Sequence, residues 1–311
     1  MKAYFLNPAD MGVELRDAPA PQPASGKLLV RVRATALNRG ELLRHGLTKP
    51  GAAKIAGTEG AGEVEGTGER VMGRLPASFA EYALMDASDA IPVPPNLSWE
   101  EAAAIPITFL VVYDMLVQQG SLKRGEWLLI TGVAAGVGVA ALLAGKTLGA
   151  RVIGTSGSEE KLDKLKQLGL DVALHTRKPD FYESVMRATG GKGADLVVNN
   201  VGGSMFAECV KSLGYEGRLA TVGYVDGVMK SEIDIDALHS KRLKLFGVSN
   251  KLRNAAQRAV TVEGFKKDFL PLFASGKLKP MIDRVYDFKD LPEAKRRMES
   301  DAHVGKIVVR I

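Results

Sequence analysis

Apolar and polar positions alternate over short segments in the N-terminal third of the chain. The clearest segment is 27–36 (KLLVRVRATA), and this alternation is typical of a strand with one buried face. Further short strands are predicted at 57–64, 69–72 and 79–85, where glycines and turn residues separate them. Short strands divided in this way predict an all-β, barrel-like region.

The pattern changes at Ser98. Together with Glu101, Ser98 forms a capping box ahead of an apolar helix, and strands and helices alternate from there on. The continuous apolar run at 127–131 predicts a strand that is buried on both faces of a parallel sheet. Further strands are predicted at 151–155, 171–174, 194–199, 217–223 and 243–248, and helices at 139–148, 159–168, 181–189 and 206–213. This alternation predicts a doubly wound parallel sheet.

The β character returns near the C-terminus. After a helix at 262–274, strands are predicted at 281–288 and 305–311, on either side of a helix at 291–300. In the simplest arrangement this tail rejoins the N-terminal region. We therefore predict an α/β protein with a discontinuous first domain, residues 1–105 and 277–311, and a dinucleotide-binding domain at 106–276.

A glycine-rich turn joins the first strand of the parallel sheet to its helix, in the segment 128–141 (LLITGVAAGVGVAA). Gly132 permits a tight turn, Ala135 and Gly136 let the backbone approach a pyrophosphate, and Gly138 lets the helix pack closely on the strand. The free N–H groups at the helix start favour an anion. Since this turn lies inside a strand–helix–strand unit, it predicts a dinucleotide site rather than a bare turn.

The end of the second strand indicates which dinucleotide binds. NAD sites usually place an acidic residue there, whereas this strand ends with Thr155 and Ser156. Lys161 follows a few residues later and could meet a 2′-phosphate. Taken alone, Lys161 would be an exposed helix lysine, but together with the missing acid it favours NADPH.

Several further motifs run through nearly the whole chain. They are ALNR at 36–39 followed by Gly46, GTEGAG at 57–62, FAEY at 79–82, AAAIP at 102–106, VGG at 201–203, GR at 217–218 and GKIV at 305–308. With the glycine turn, they make the chain resemble the medium-chain dehydrogenase/reductase superfamily, and within it the zinc-free quinone oxidoreductase (zeta-crystallin-like) branch. The resemblance implies a GroES-like β-barrel substrate domain beside a Rossmann domain, with the nicotinamide in the cleft between them.

The resemblance also implies roles for individual residues. Gly136, Val137 and Gly138 would contact the pyrophosphate, and Lys161 would contact the 2′-phosphate. Asn200 and Val201 would lie near the ribose, and Gly223 and Tyr224 would follow the strand that lines the cofactor. Gly247, Val248 and Ser249 would hold the carboxamide, and Asn38 would face the nicotinamide and substrate. Three positions depart from the family pattern. Thr176 replaces a tyrosine of the NADPH site, where Arg177 could supply charge instead; Val111 replaces a threonine; and a tyrosine found near 42–43 in some relatives is absent. The resemblance therefore assigns no proton donor.

Zinc chemistry is disfavoured by the residues present. Cys209 is the single cysteine, which excludes zinc sites that need two thiolates from one chain. Thr58 stands where zinc-dependent members have a histidine, and Asn38 stands near their cysteine position. Without a metal to stabilise an alkoxide, hydride transfer needs an acceptor such as a quinone or an alkene conjugated to a carbonyl.

Two side chains are candidates for the chemistry at the acceptor. Asn38 could hydrogen-bond a developing oxyanion, although it could also simply cap the backbone at a strand end. Tyr82 could donate a proton if its hydroxyl faces the cleft, although a tyrosine in a β region is more often packed in the core.

Charge and hydropathy bear on partners and location. The net charge is +6, but the basic residues are scattered, which disfavours a nucleic-acid surface and favours a small-molecule substrate. No apolar run is long enough to span a membrane and no secretory leader is evident, so we expect a cytoplasmic protein. The resemblance implies a homodimer, paired through the apolar strand at 243–250 (LKLFGVSN).

The leading hypothesis is a zinc-independent, NADPH-dependent quinone or enone reductase. An enoyl-thioester or alkenal double-bond reductase is an alternative enzyme. A protein of a different class, an NADPH-binding sensor or nucleic-acid-binding protein with little turnover, is also compatible with the motifs.

Overall fold

The computed structural model describes residues 1–42 and 52–311, and His45 and Gly46 lie outside this range. The chain forms two compact units. One comprises Met1–Leu110 and Ala255–Ile311, and the other comprises Val111–Asn254.

The elements follow one another along the chain. Strands are β1 (Lys2–Leu6), β2 (Val13–Asp17), β3 (Lys27–Ala36), β4 (Lys54–Ile55), β5 (Glu59–Val64), β6 (Arg70–Arg74), β7 (Tyr82–Asp86), β8 (Ile91–Pro92), β9 (Trp127–Thr131), β10 (Arg151–Ser156), β11 (Val172–His175), β12 (Ala194–Asn199), β13 (Leu213–Thr221), β14 (Lys244–Gly247), β15 (Ile282–Asp287) and β16 (Lys306–Arg310). Helices are α1 (Arg39–Leu42), α2 (Trp99–Ala103), α3 (Pro106–Tyr113), α4 (Gly136–Thr147), α5 (Glu159–Gln167), α6 (Tyr182–Ala188), α7 (Gly203–Lys211), α8 (Ile235–Ser240), α9 (Ala255–Asp268), α10 (Leu270–Ala274) and α11 (Leu291–Glu299).

The second unit, described throughout, contains a parallel sheet of six strands in the order β11-β10-β9-β12-β13-β14. The first three strands along the chain run outward in one direction and the next three in the other, which is the strand order of a dinucleotide-binding fold. The central strand β9 is buried at every residue, as the apolar run predicted. The predicted α/β class and doubly wound sheet are therefore confirmed.

In the first unit, the described residues form a mixed sheet of seven strands in the order β15-β16-β3-β5-β6-β8, with β7 also paired to β3. They also form a sheet of three strands in the order β2-β1-β4. One edge of β3 is shared, since Lys27–Arg31 pair with β7 and Ala34–Ala36 pair with β16. The C-terminal strand thus joins the sheet of the N-terminal region, and it brings Lys306 to the end of β3.

The units divide at different residues from our predicted domains, because α9 and α10 belong to the first unit. Phe273 of α10 packs edge-on against Phe109, with ring centroids 5.0 Å apart. Arg258 of α9 lies 3.8 Å from carboxylate oxygens of both Asp86 and Asp89. These contacts link two distant sequence segments, so local pattern did not show them.

Local signals placed many element ends within one residue, but α4 and α7 begin three residues before their predicted starts and β13 begins four residues before its own. The capping box is confirmed, since the Ser98 hydroxyl accepts from the Glu101 N–H and the Glu101 carboxylate accepts from the Ser98 N–H. The single helix predicted at 262–274 is instead two helices, α9 and α10, which meet at Phe269. Among residues 1–42 and 52–311, no helix has the length and apolar character needed to cross a bilayer.

Candidate cofactor and substrate sites

The glycine turn connects β9 to α4, and its close backbone contacts leave little space for side chains. Gly132 has a φ of +61°, a conformation that glycine adopts freely. A Cβ atom on Gly138 would lie 2.6 Å from the carbonyl oxygen of Gly132 and 2.7 Å from that of Val133. Ala135 precedes the first helical residue and provides no side-chain cap, so the N–H groups of Gly136, Val137 and Gly138 at the start of α4 have no capping side chain. The turn therefore holds a helix start close to the strand with its N–H groups available to an anion.

The ends of the neighbouring strands meet over this turn. A Cβ atom on Gly132 would lie 3.4 Å from Val201 Cγ2 and 3.9 Å from Asn200 Cβ, and one on Gly223 would lie 3.1 Å from the Asn200 carbonyl oxygen. The structure thus brings four predicted cofactor residues together at the carboxyl ends of β9, β12 and β13, where ligands of such sheets bind.

Asn200 supplies a direct indication of a ligand site. Its side-chain nitrogen Nδ2 is buried and has no hydrogen-bond partner among the described residues. A buried amide left in this way is unfavourable unless something else accepts its hydrogens. The residues present therefore fit a dinucleotide whose ribose or phosphate oxygens complete this site.

A residue that the sequence reasoning missed holds this loop in place. Asn199 is fully buried, and its Oδ1 accepts from the N–H groups of Val201 and Gly202 and from the Thr131 hydroxyl, each at 3.1 Å. The Thr131 hydroxyl in turn accepts from the Asn200 N–H at 3.1 Å. The available signal was a polar residue directly after the apolar run 196–198 at the end of β12.

The end of β10 is basic and lacks a carboxylate. The Thr155 hydroxyl accepts from the Gly132 N–H at 3.2 Å, which ties this strand end to the glycine turn. The side chain of the exposed Arg177 lies across Gly157, in the space that a Cβ atom there would fill. Lys161 lies in the first turn of α5, since its N–H donates to the Ser158 hydroxyl that caps this helix. The Arg177 side chain thus brings positive charge directly after Ser156, at the strand end where an NAD site would have an acid.

The remaining predicted cofactor residues follow β13 and β14. Gly247 pairs with Thr221, and the Val248 N–H donates to the Thr221 carbonyl oxygen at 2.9 Å. Tyr224 and Ser249 follow these strand ends along the chain. They lie at the same edge of the sheet as the glycine turn, since all six strands are parallel.

In the first unit, Asn38 lies in a buried polar network centred on Lys306. The Lys306 ammonium donates to Glu59 Oε1 at 2.7 Å, to Asn38 Oδ1 at 3.0 Å and to the Leu37 carbonyl oxygen at 3.0 Å. Glu59 is fully buried and Lys306 is 5% exposed. The second oxygen of Glu59 accepts from the Ile107 N–H at 2.7 Å, so the carboxylate is compensated on both sides.

The same network fixes the amide of Asn38. An ammonium group only donates, so the amide oxygen must face Lys306. The amide nitrogen then donates to Glu59 Oε1 at 2.8 Å and to Thr58 Oγ1 at 3.1 Å, which uses both hydrogens. To stabilise an oxyanion as predicted, Asn38 would have to exchange one of these partners.

Glu41 extends the network on the far side of Thr58. The Thr58 hydroxyl donates to Glu41 Oε2 at 3.3 Å, and the Gly57 N–H donates to Oε1 at 2.6 Å. Desolvation of the carboxyl group raises the pKa of Glu41 to about 7, and the hydrogen bonds from Gly57 and Thr58 oppose this rise only in part. Sequence reasoning did not single out Glu41, since a glutamate in a short helix is usually solvated.

The structure does not bring Tyr82 to Asn38. Tyr82 opens β7 opposite Arg31 of β3, whereas Asn38 lies beyond the other end of β3. Arg31 and Asn38 are seven positions apart, which corresponds to about 20 Å of extended chain. Tyr82 is thus not positioned to act with Asn38 on one substrate atom.

The described residues contain no group of three or more His, Cys, Asp and Glu side chains that could hold a metal ion. At the positions where zinc-dependent relatives were expected to have ligands, Asn38 and Thr58 hydrogen-bond each other. Cys209 is fully buried, and burial raises the pKa of its thiol, so the thiolate is disfavoured.

The strand order and the glycine turn define the class of the protein, a dinucleotide-binding fold of the dehydrogenase type. Comparison with known proteins agrees. The zinc-binding dehydrogenase family matches residues 136–262. The crystal structure of a quinone oxidoreductase from Thermus thermophilus, also solved with NADPH, is 30% identical with a TM-score of 0.84, and the match covers 100% of both chains.

Two further relatives are reductases or contain segments similar to this chain. An acryloyl-coenzyme A reductase from Sulfurisphaera tokodaii is 26% identical, with 100% of both chains covered. A phenolphthiocerol/phthiocerol polyketide synthase from Mycobacterium tuberculosis is 30% identical over 93% of this chain, which spans only 14% of that protein's length. The chain belongs to the medium-chain dehydrogenase/reductase superfamily.

Proposed function

We propose that this chain is a zinc-independent, NADPH-dependent oxidoreductase that transfers a hydride to a quinone or an α,β-unsaturated carbonyl compound. The observation that carries the proposal is the glycine turn, with an unpaired Asn200 amide on one side and the basic end of β10 on the other. Bound NADPH would supply the hydride. The chain would contribute binding, orientation and protection from water.

The residues present fit this cofactor in three places. The N–H groups of 136–138 would hold the pyrophosphate, and the Asn200 amide would donate to an oxygen near the ribose. Arg177 and Lys161 would hold the 2′-phosphate that distinguishes NADPH from NADH, with Arg177 in the role that the family gives to the tyrosine replaced by Thr176.

The class of acceptor follows from the chemistry available. Quinones and conjugated carbonyl compounds accept hydride without a Lewis acid, so they suit a site without zinc. The Thermus neighbour is a quinone oxidoreductase, which supports a quinone acceptor. The acryloyl-coenzyme A reductase relative favours the second candidate, reduction of an enoyl thioester, and the same hydride chemistry would serve it.

The function can be tested by mixing the purified chain with NADPH and a panel of quinones, 2-enals and enoyl thioesters, while the nicotinamide absorbance is followed. We expect oxidation with at least one of these classes, and the relative kcat/KM values identify which. Tight NADPH binding without oxidation by any acceptor would contradict the enzyme and favour a binding protein with little turnover.

The cofactor preference can be tested at Arg177. The substitution Arg177→Ala should weaken NADPH binding by about tenfold, the effect of losing one charge-assisted contact worth about 1.4 kcal/mol, and should leave NADH almost unchanged. Lys161→Ala should act in the same direction. Lys164→Ala is the matched control, because Lys164 lies on the same helix and pairs with Glu160 at 2.7 Å. Equal losses for NADPH and NADH in a calorimetric titration would remove Arg177 from the phosphate site.

Assembly and location are part of the proposal. The strand β14 ends the order of the parallel sheet, so its outer edge could pair with β14 of a second copy and form a homodimer. Light scattering that gives the mass of one chain would contradict the dimer. We propose a cytoplasmic location, with a small-molecule substrate and neither membrane nor nucleic acid as a partner.

A further inference from the structure

The proposed reduction needs a proton as well as a hydride, and the predicted residues do not provide its source. Tyr82 lies far from Asn38 along the sheet, and the amide hydrogens of Asn38 are taken by Glu59 and Thr58. The Glu41 carboxyl group, joined to Asn38 through the Thr58 hydroxyl, has no part in the function described so far.

The surroundings of Glu41 favour a bound proton near neutrality. Among the described residues, its carboxyl oxygens are hydrogen-bonded by the Gly57 N–H and the Thr58 hydroxyl. Two charged groups act on it from neighbouring strands: Glu59 of β5 raises its pKa and Lys54 of β4 lowers it. Desolvation is the largest effect, and it brings the pKa of Glu41 to about 7.

Protonation of Glu41 changes what the Thr58 hydroxyl can do. A hydroxyl group has one hydrogen and can accept two hydrogen bonds. When Glu41 is ionised, Thr58 donates its hydrogen to Glu41 and accepts from Asn38. When Glu41 is protonated, the acid donates to the Thr58 oxygen instead, and the Thr58 hydrogen becomes available to another acceptor. Thr58 and Asn38 are both only half-buried, so a substrate could approach them.

We propose that Glu41 supplies the proton of the reduction and delivers it through the hydroxyl of Thr58. This inference rests on the proposed function. The acceptor takes a hydride at its electron-poor carbon as the conjugated double bond breaks, and the electron pair moves to the carbonyl oxygen. That oxygen takes the Thr58 hydrogen while the Glu41 proton passes to the Thr58 oxygen. Glu41 is left as a carboxylate and regains a proton from water.

The rest of the network positions this relay. Lys306 and Glu59 hold the amide of Asn38, and Asn38 donates to the Thr58 oxygen in both protonation states. Thr58 would be the group that touches the substrate, and Glu41 acts through it. Proton transfer from a positioned side chain contributes a factor of about 10² or more to a rate.

The test compares kcat across the pH range with a 2-enal acceptor, for which proton delivery is required. Wild-type kcat should fall as the pH rises through about 7, because Glu41 loses its proton there. Glu41→Gln should lower kcat by about 10² below that pH and remove this dependence, with KM little changed. Thr58→Val should have the same effect, while Thr58→Ser should restore activity because it keeps the hydroxyl. Glu63→Gln is the control carboxyl variant, since Glu63 pairs with Arg33 on the same sheet.

A second measurement does not depend on turnover. Infrared difference spectra should show the stretch of a protonated carboxyl group that titrates near pH 7, and Glu41→Gln should abolish it. Absence of this signal, or a Glu41→Gln variant that keeps the wild-type pH profile, would overturn the relay while leaving the reductase intact. If the wild-type chain oxidises NADPH with none of the acceptors tested, both the proposed function and the relay are wrong.

Discussion

Replacing Lys306 with methionine should destabilise the first unit by about 3 to 5 kcal/mol, the usual cost of removing one partner of a buried ion pair. Methionine keeps most of the length of the side chain, so packing changes little. The loss falls on Glu59, which is fully buried and would keep only the Asn38 amide and the Ile107 N–H. The Asn38 oxygen and the Leu37 carbonyl oxygen would also lose their donor.

The structure also indicates how to remove the pair without this penalty. In the double variant with Glu59→Gln, the new amide oxygen can accept from the Ile107 N–H. Without Lys306 the Asn38 amide is free to turn over. Its oxygen can then accept from the new Gln amide and from the Thr58 hydroxyl, while protonated Glu41 donates to the Thr58 oxygen. A neutral, hydrogen-bonded replacement of a buried pair is often close to isoenergetic. The double variant should therefore be more stable than Lys306→Met alone, with a coupling free energy of about 2 kcal/mol.

Urea unfolding provides the assay, and the two tryptophans let the units be followed separately. Trp99 lies in the first unit and Trp127 in the second, so fluorescence in a Trp127→Phe background reports on the unit that contains the pair. As a control, Lys164→Met breaks an exposed pair and should change the free energy of unfolding by less than about 0.5 kcal/mol. Additive effects of the two network substitutions would show that Lys306 and Glu59 do not depend on each other.

Two further predictions concern the cofactor side and the pH dependence of stability. Asn200→Ala removes a buried amide nitrogen that has no hydrogen-bond partner among the described residues, so it should raise the stability of the cofactor-free chain by up to about 1 kcal/mol and weaken NADPH binding. Thermal melts with and without NADPH measure both effects. A loss of stability without cofactor would show that the amide nitrogen already has a partner. The pKa of Glu41 is about 7 in the folded chain and 4.5 ordinarily, so the folded chain holds the Glu41 proton more tightly than the unfolded chain does. The free energy of unfolding that this adds is fully present below pH 4.5 and is lost as the pH rises through 7, a change of about 3 kcal/mol. Glu41→Gln should flatten this decline in urea unfolding at several pH values, whereas Glu63→Gln should retain it.

Elements with strong local patterns were predicted from the sequence almost to the residue. The strand at 27–36 alternates apolar and polar residues over most of its length, and the strand at 127–131 is almost wholly apolar. Both have the predicted bounds. The glycine turn could be predicted equally well, because the small residues that it requires are close together in the sequence. The Gly138 contact at 2.6 Å shows why a side chain could not be tolerated there.

Groups joined over long sequence distances could not be predicted in the same way. Glu59 and Lys306 each fall in a family motif, GTEGAG and GKIV, but 247 positions separate them and no local signal indicates that they pair. Their pairing depends on β16 joining β3, which is a property of the sheet. Asn38 was singled out from its motif alone, so the saturation of its amide hydrogens could not be foreseen.

Burial explains why one network can both stabilise the fold and hold a proton. The network contains the ammonium of Lys306 and the carboxyl groups of Glu59 and Glu41, and burial disfavours the charge on Glu41 more than the nearby Lys54 favours it. Lys306 bonds directly to Glu59, whereas no cation among the described residues bonds directly to Glu41, and desolvation raises the pKa of Glu41 to about 7. Removing Lys306 would leave the buried Glu59 without its cation and Asn38 without the donor that holds its oxygen. The proposed relay thus depends on the same ion pair as the stability of the sheet. The Glu59→Gln, Lys306→Met double variant separates the two, because it restores hydrogen bonding in the sheet without the Glu59 charge, which raises the pKa of Glu41 less than desolvation does.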